Sequence, residues 1–99
     1  MGKSSRLKVR MAEKLARLIR GMHPGLKKKV GRSLETILAD PASGKALRDD
    51  LGGLRSFKVG RLRVVYRVSR TEIQIVAVGP RTSIYEETSR LVKRERGPK

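Results

Sequence analysis

The sequence predicts a small single domain of the α+β class, in which an αα-hairpin packs on an antiparallel sheet. Two observations support this: apolar residues alternate through residues 57–78, with short polar turns between the runs, and two amphipathic helical patterns precede that region. The length of 99 residues suits one domain. We expect residues 1–99 to form it, with an N-terminal strand, a three-strand meander, a short C-terminal helix and flexible ends at 1–5 and 96–99.

The first half of the chain predicts one strand and two helices. Residues 6–10 alternate between charged and apolar side chains, which indicates a half-exposed strand. The stripes that follow are Met11, Leu15, Leu18, Ile19 and Met22 in one helix and Leu26, Val30, Leu34, Ile37 and Leu38 in the next. The second helix, residues 26–39, should stop before Pro41. His23 lies in the short connection and is expected to be a surface or capping residue.

The next segment, residues 40–53, reads as a loop with a possible helical turn. Three strands follow at 56–59, 62–68 and 73–79. Gly60-Arg61 suits a two-residue turn, because glycine adopts a positive φ without steric cost. Arg70-Thr71 is the predicted second turn. Gly79-Pro80 should end the third strand, and a frayable helix should then end near Glu95.

These turns predict a register, and directly opposed residues of a sheet share a face. The predicted core face carries Phe57, Val59, Leu62, Val64, Tyr66 and Val68, and the other face carries Lys58, Arg63, Val65 and Arg67. Across the second turn, the predicted pairs are Tyr66 with Ile75, Val64 with Ala77 and Arg63 with Val78. The opposed cations Lys58 and Arg63 either splay into water or hold an anion.

The dominant feature of the composition is charge. Lysine and arginine number 25 against 9 aspartate and glutamate, which gives a net charge of +16. Such an excess predicts salt-sensitive attraction to nucleic acid or to an acidic protein. With only three aromatic residues, an extended base-stacking platform is not expected.

The sequence lacks the residues that several common kinds of catalysis require. The chain has no cysteine and one histidine, so we expect no metal site, no cofactor and no cysteine nucleophile. No apolar run reaches the roughly 20 residues of a membrane helix, and the absence of cysteine fits a cytoplasmic protein. The remaining candidates are four cations and a phenol: Lys58, Arg63, Arg67, Arg81 and Tyr85. Permanent cations stabilise the negative charge of a phosphoryl transition state, so they indicate phosphodiester chemistry or phosphate binding.

Two stretches resemble the RelE/ParE superfamily of toxins from toxin–antitoxin systems. They are L-R-S-F-K-V-G-R-L-R-V-V-Y-R-V and, further on, I-Q-I-V-A-V-G-P-R-T-S-I-Y. The RelE branch implies a RelE-like fold and a metal-independent endoribonuclease that cleaves mRNA on the ribosome and inhibits translation. In that reaction the 2′-hydroxyl attacks the adjacent phosphate and the 5′-oxygen leaves.

The resemblance also implies a role for each matching residue. Lys58 corresponds to a transition-state lysine, Arg63 to the arginine that grips the scissile phosphate, and Arg81 to one that binds phosphate or protonates the leaving group. Tyr85 corresponds to the tyrosine that orients or deprotonates the 2′-hydroxyl or stacks on a base. Besides Lys58, the basic side chains Arg61 and Arg67 are expected to bind RNA phosphate.

Three departures from the family pattern are visible. Ser56 occupies the place of a further lysine, and Pro80 replaces the usual histidine or lysine before the late arginine. Strict alternation would also turn Arg81 to the core face, so a bend or bulge at Gly79-Pro80 is predicted to bring it beside Lys58 and Arg63. Tyr66 is part of the motif as well, but its position predicts a core residue.

Two alternatives remain open: a ParE-like inhibitor of DNA gyrase with the same fold, or a basic nucleic-acid- or ribosome-binding protein without chemistry. The toxin hypotheses imply an acidic antitoxin as partner, and a toxin–antitoxin hetero-oligomer. The RelE hypothesis implies the ribosome and mRNA as further partners. Because a phenol ionises only at about pH 10 in water, the residues predict weak cleavage of naked RNA.

Overall fold

The computed structural model describes residues 7–96, which form one α+β domain. Its regular elements are β1 (Lys8–Met11), α1 (Glu13–Arg20), α2 (Pro24–Ala39), β2 (Lys45–Ala46), β3 (Leu54–Val59), β4 (Leu62–Val68), β5 (Glu72–Pro80) and α3 (Arg81–Arg96). The predicted fold class is confirmed. The predicted flexible ends, residues 1–5 and 97–99, lie outside the described residues, whereas residue 96 ends α3.

The five described strands form one sheet in the order β1-β5-β4-β3-β2. The predicted antiparallel meander is its centre, formed by β3, β4 and β5. The first strand begins at Lys8 and runs parallel to β5, which the sequence pattern did not indicate. The short β2 pairs with the other edge, beside β3.

Both predicted turns are present and impose most of the expected register. Gly60 has a φ of 60°, as a tight turn with glycine in first position requires. The amide of Ser69 donates to the carbonyl of Glu72 at 2.9 Å and so closes the turn around Arg70-Thr71. The cross-strand pairs Lys58–Arg63, Val59–Leu62 and Tyr66–Ile75 are those predicted.

One irregularity in β5 changes the register beyond Ile75. Tyr66 lies opposite Ile75, but Val65 lies opposite Ala77, so Val76 is an extra residue that forms a β-bulge. The predicted pairs Val64–Ala77 and Arg63–Val78 are therefore wrong by one residue, and the observed pairs are Val64–Val78 and Arg63–Gly79. The predicted irregularity at Gly79-Pro80 is also wrong in position, because both residues pair regularly with β4.

The helical hairpin covers the predicted core face of the sheet. His23 accepts a hydrogen bond from the Gly25 amide at 3.1 Å and caps α2, which begins at Pro24. Val30 and Ile37 of α2 are buried against a cluster of sheet side chains, while α1 adds half-buried residues. The sheet side chains of this cluster include Val59, Val64, Tyr66, Ile73, Ile75 and Val78.

The C-terminal helix covers part of the opposite face and begins directly at Arg81, earlier than the sequence suggested. Ile84 is fully buried and packs against the buried residues Leu54, Val65 and Ala77. Val92, which is partly buried, packs against this cluster. Residues 84, 88 and 92 recur every four positions, so one helical stripe supplies the contact. The sheet is therefore sandwiched between helices, and α3 starts where the late arginine lies.

The segment between α2 and β3 is fastened to the core by Tyr66. Its side chain has no exposed surface, as predicted for a core residue. The phenol donates to the Pro41 carbonyl at 2.7 Å and accepts from the Gly44 amide at 2.9 Å. A Cβ at Gly44 would lie 2.5 Å from the phenol oxygen, so only glycine allows this close approach. The predicted loop is thus held against the sheet, with 3₁₀ turns at Pro41–Ser43 and Asp49–Leu51.

Candidate active site

An open cleft of about 770 Å³ lies on the side of the sheet away from the helical hairpin. The segment 43–51, strands β3 and β4 and the first turn of α3 form its walls. Its lining residues are Ser43, Lys45, Leu47, Arg48, Asp49, Leu51, Ser56, Phe57, Lys58, Arg63, Arg81 and Tyr85. Five of them are lysine or arginine, so the cleft is suited to an anion.

The structure brings together four of the six predicted site residues. Lys58, Arg63, Arg81 and Tyr85 all line the cleft. The other two, Arg61 and Arg67, do not. Arg61 lies exposed in the β3–β4 turn, and Nη2 of Arg67 donates to the side-chain oxygen of Gln74 at 2.9 Å.

The bulge at Val76 explains how Arg81 reaches the cleft. Without the extra residue, alternation along β5 would direct position 81 to the helical-hairpin side. With it, Gly79 lies opposite Arg63 on the cleft face, and Arg81, the first residue of α3, lines the cleft. The predicted need for an irregularity was therefore sound, although its position was not.

Arg63 has an unusual environment for a cation. Its Nε atom is buried, and no hydrogen-bond partner for it exists among the described residues. A buried N–H donor without a hydrogen bond is costly. Lys58 lies directly opposite in the β3–β4 ladder and lines the same cleft. The two opposed cations thus line one cleft, an arrangement that can bind an anion.

Tyr85 lies one helical turn after Arg81, on the same side of α3. Its side chain is half-buried, and its phenol oxygen lies 3.0 Å from the hydroxyl oxygen of Ser56. Ser56 is itself buried, with 7% of its surface exposed. The contact fixes the phenol at the wall of the cleft.

Sequence reasoning missed the wall formed by residues 43–51. Two cations of that segment, Lys45 and Arg48, line the cleft, together with the apolar Leu47 and Leu51. Lys45 is brought there because it pairs with Ser56 across the β2–β3 ladder. Asp49 has a φ of 56°, a conformation uncommon outside glycine but tolerated by aspartate. The short β2 carries no pattern from which this wall could be predicted.

Among residues 7–96, no group of three or more His, Cys, Asp or Glu side chains is placed to bind a metal ion. No helix in this part of the chain has the length and apolar character needed to cross a membrane.

The fold is that of the small α+β toxins of the RelE/ParE superfamily. A family model, "ParE toxin of type II toxin-antitoxin system, parDE", matches residues 6–85, and the chain belongs to this family. It is thus a type II toxin–antitoxin toxin with the RelE/ParE fold. No curated protein matches the sequence.

Solved structures support the same fold. A chain of the RelBE2 toxin–antitoxin complex from Mycobacterium tuberculosis is 26% identical, with a TM-score of 0.66 over 77% of this chain and 99% of that one. A mutant of the Escherichia coli toxin RelE in the free state has a TM-score of 0.72 at 16% identity, covering 91% and 97%. The YoeB/ParE toxin from Agrobacterium tumefaciens has a TM-score of 0.66 at 16% identity, covering 75% and 98%.

Proposed function

We propose that the protein is a ribosome-dependent endoribonuclease that cleaves mRNA without a metal ion and so inhibits translation. The observation that carries this proposal is the placement of Lys58, Arg63, Arg81 and Tyr85 in one cleft. A protein that only blocked gyrase by binding would not need three cations and a phenol around a space that can hold a phosphate.

In the proposed reaction, the 2′-oxygen of the message attacks the adjacent phosphorus and the bond from phosphorus to the 5′-oxygen breaks. The products are a 2′,3′-cyclic phosphate and a 5′-hydroxyl. Lys58 and Arg63 stabilise the additional negative charge on the phosphoryl oxygens. Tyr85 orients the 2′-hydroxyl, whose proton passes to solvent water as the new bond to phosphorus forms. Arg81 binds the phosphate near the departing 5′-oxygen, which takes up a proton from water.

The proposed dependence on the ribosome follows from the residues in the cleft. Arginine and lysine are poor proton acceptors, and a phenol is a weak base near neutral pH. The catalytic contribution of this cleft is therefore charge stabilisation and orientation. Orientation requires the message to be held in one conformation, which a ribosome can provide and free RNA cannot.

The test is cleavage of one message with and without ribosomes. We expect wild-type protein to cut the ribosome-bound message and to cut naked RNA at least about 100-fold more slowly, since positioning is worth that much or more. Arg81→Ala should reduce ribosomal cleavage by about 100-fold. Primer extension would locate the cuts. Equal cleavage by wild type and Arg81→Ala, or none by wild type, would contradict the proposal.

A second candidate is inhibition of DNA gyrase by binding, and the match to the ParE family model favours it. A supercoiling assay separates the two functions. Gyrase inhibition without cleavage of ribosome-bound message would identify the ParE-like function. The absence of both activities, with salt-sensitive binding to nucleic acid, would identify a basic binding protein without chemistry.

We also propose an acidic antitoxin as the partner, anchored in a second groove of about 380 Å³ between α1, β5 and α3. Leu18 and Leu91 line this groove and expose 52% and 39% of their surfaces. Lys14, Arg90 and Arg94 also line it, with the single acid Glu87. Apolar contacts flanked by cations suit an amphipathic acidic helix or strand. The similar RelBE2 structure is that of a toxin–antitoxin complex.

Leu18→Glu should weaken binding of the antitoxin, which we expect to be encoded beside the toxin gene, by about 10- to 100-fold. It places a charge in an apolar contact and repels an acidic partner. The matched control is Val68→Glu, a substitution of another exposed apolar residue (38% exposed) that does not line this groove. Calorimetric titration would measure both, and equal affinities for the two variants would place the antitoxin elsewhere.

A further inference from the structure

Ser56 occupies a position from which it can act only through another side chain. It lies in β3 between Lys45 of β2 and Val65 of β4, so the ladder fixes its backbone on both sides. Its side chain is on the cleft face of the sheet and lines the cleft. Only 7% of the residue is exposed, which leaves little surface for direct contact with a polynucleotide.

Among the residues that the structure describes, the partner of the Ser56 hydroxyl is the phenol of Tyr85 at 3.0 Å. Either oxygen can be the donor. A hydroxyl carries one proton and two lone pairs, so this contact survives when the phenol donates to substrate and when it accepts from it. A lysine ammonium could only donate and would add a positive charge. The RelE-like pattern has a lysine at this position, so this chain has a neutral hydroxyl where that pattern has a positive charge.

We infer that Ser56 is a positioning residue that holds the Tyr85 phenol against the 2′-hydroxyl of the RNA substrate. This inference rests on the proposed ribonuclease function. Ser56 does not touch the reacting atoms. Its hydroxyl restricts the phenol, whose ring is otherwise carried on the first turns of α3 near an open cleft. Loss of such restraint should affect the chemical step and not the binding of message.

Kinetics on ribosome-bound message test this inference. Ser56→Ala should lower kcat about tenfold and leave KM within about twofold of the wild-type value, because one hydrogen bond that orients the phenol is lost. Ser56→Thr retains the hydroxyl and suits a strand, so it should restore most of the rate. In a Tyr85→Phe background, Ser56→Ala should have no further effect, since the partner hydroxyl is already gone.

A spectroscopic measurement makes the test independent of activity. The chain has only two tyrosines, Tyr66 and Tyr85. With ¹³C at the phenol carbon, Ser56→Ala should move the NMR signal of Tyr85 and leave that of Tyr66, whose partners are Pro41 and Gly44, unchanged. Tyr85→Phe assigns the signals.

The outcomes separate this inference from the proposed function. If wild type cleaves message and Ser56→Ala is equally fast, or if the Tyr85 signal does not move, the positioning role is wrong and the ribonuclease function stands. If wild type does not cleave ribosome-bound message, both are wrong. A tenfold loss in Ser56→Ala that Ser56→Thr does not restore would indicate a packing defect and would also overturn the inference.

Discussion

Replacing Arg63 by alanine should lower the rate of cleavage of ribosome-bound message by about 100- to 1000-fold, the range typical for a lost electrostatic contact to a developing negative charge. Arg63 is central because it lies between two cleft cations: Lys58 faces it across the ladder, and Arg81 follows its partner Gly79 by two residues. Arg63→Lys keeps the charge but loses the planar fork of donors, so an intermediate rate is expected.

The large loss in cleavage rate expected for Arg63→Ala should not be accompanied by a comparably large loss in the free energy of unfolding. The buried Nε of Arg63 has no partner among residues 7–96, so its removal relieves a desolvation cost. The control is Arg32→Ala, which removes an exposed arginine of α2 outside the cleft and should leave the cleavage rate unchanged. Single-turnover kinetics and urea unfolding of each variant would separate the two effects. Similar rates for the two alanine variants would show that Arg63 does not act on the scissile phosphate.

Replacing Tyr66 by alanine should lower the free energy of unfolding by about 3–5 kcal/mol, as for other fully buried aromatic residues. The side chain has no exposed surface and belongs to the cluster between the sheet and α2. It also holds the Pro41 carbonyl and the Gly44 amide, so its loss should release the segment that forms one wall of the cleft. Urea denaturation would measure the change.

Tyr66→Phe separates the two contributions of this residue. It keeps the packing but leaves the two backbone groups unpaired, and we expect a loss of about 1–3 kcal/mol. Amide hydrogen exchange should then speed up at Gly44 more than at Val64 on β4. A phenylalanine variant as stable as the wild type would mean that the phenol contributes nothing to holding the segment.

Much of the fold could be predicted because local rules govern it. The meander follows from alternating apolar residues and from glycine at the turn, and the observed pair Lys58–Arg63 is the one these rules give. The helical hairpin follows from periodicity and from the breaks at Pro24 and Pro41. Each of these features is determined by residues close to it in the sequence.

The missed features depend on residues distant in sequence. The parallel pairing of β1 with β5 joins segments about 60 residues apart, and nothing in residues 6–10 specifies that neighbour. The bulge at Val76 lies inside an unbroken apolar run, which gives no sign of an extra residue. The wall at 43–51 depends on Tyr66 reaching Gly44, a contact that only the folded chain defines.

In the candidate site too, some features follow from the local sequence and others depend on residues distant in the chain. Lys58 and Arg63 could be assigned to one face from the turn at Gly60 alone. Arg81 could not, because its direction depends on the irregularity in β5. Tyr85 was a candidate as the phenol beside the cations, and the resemblance supplied its role, but its contact with Ser56 could not be inferred from residues 29 positions apart. Arg61 and Arg67 were included for their charge, which alone does not determine whether a side chain reaches the cleft.

The extra residue at Val76 also affects how sequences of this type should be aligned. Consider two such chains, one of which lacks the extra residue in β5. Without a gap, their sequences can be aligned correctly over the first half of the strand or over the second half, but not over both. If the gap is placed instead at the junction of β5 and α3, their motif letters coincide while the arginines lie on opposite sides of the sheet. The gap should be placed beside Val76. Only then do identical aligned residues occupy equivalent positions in the two structures.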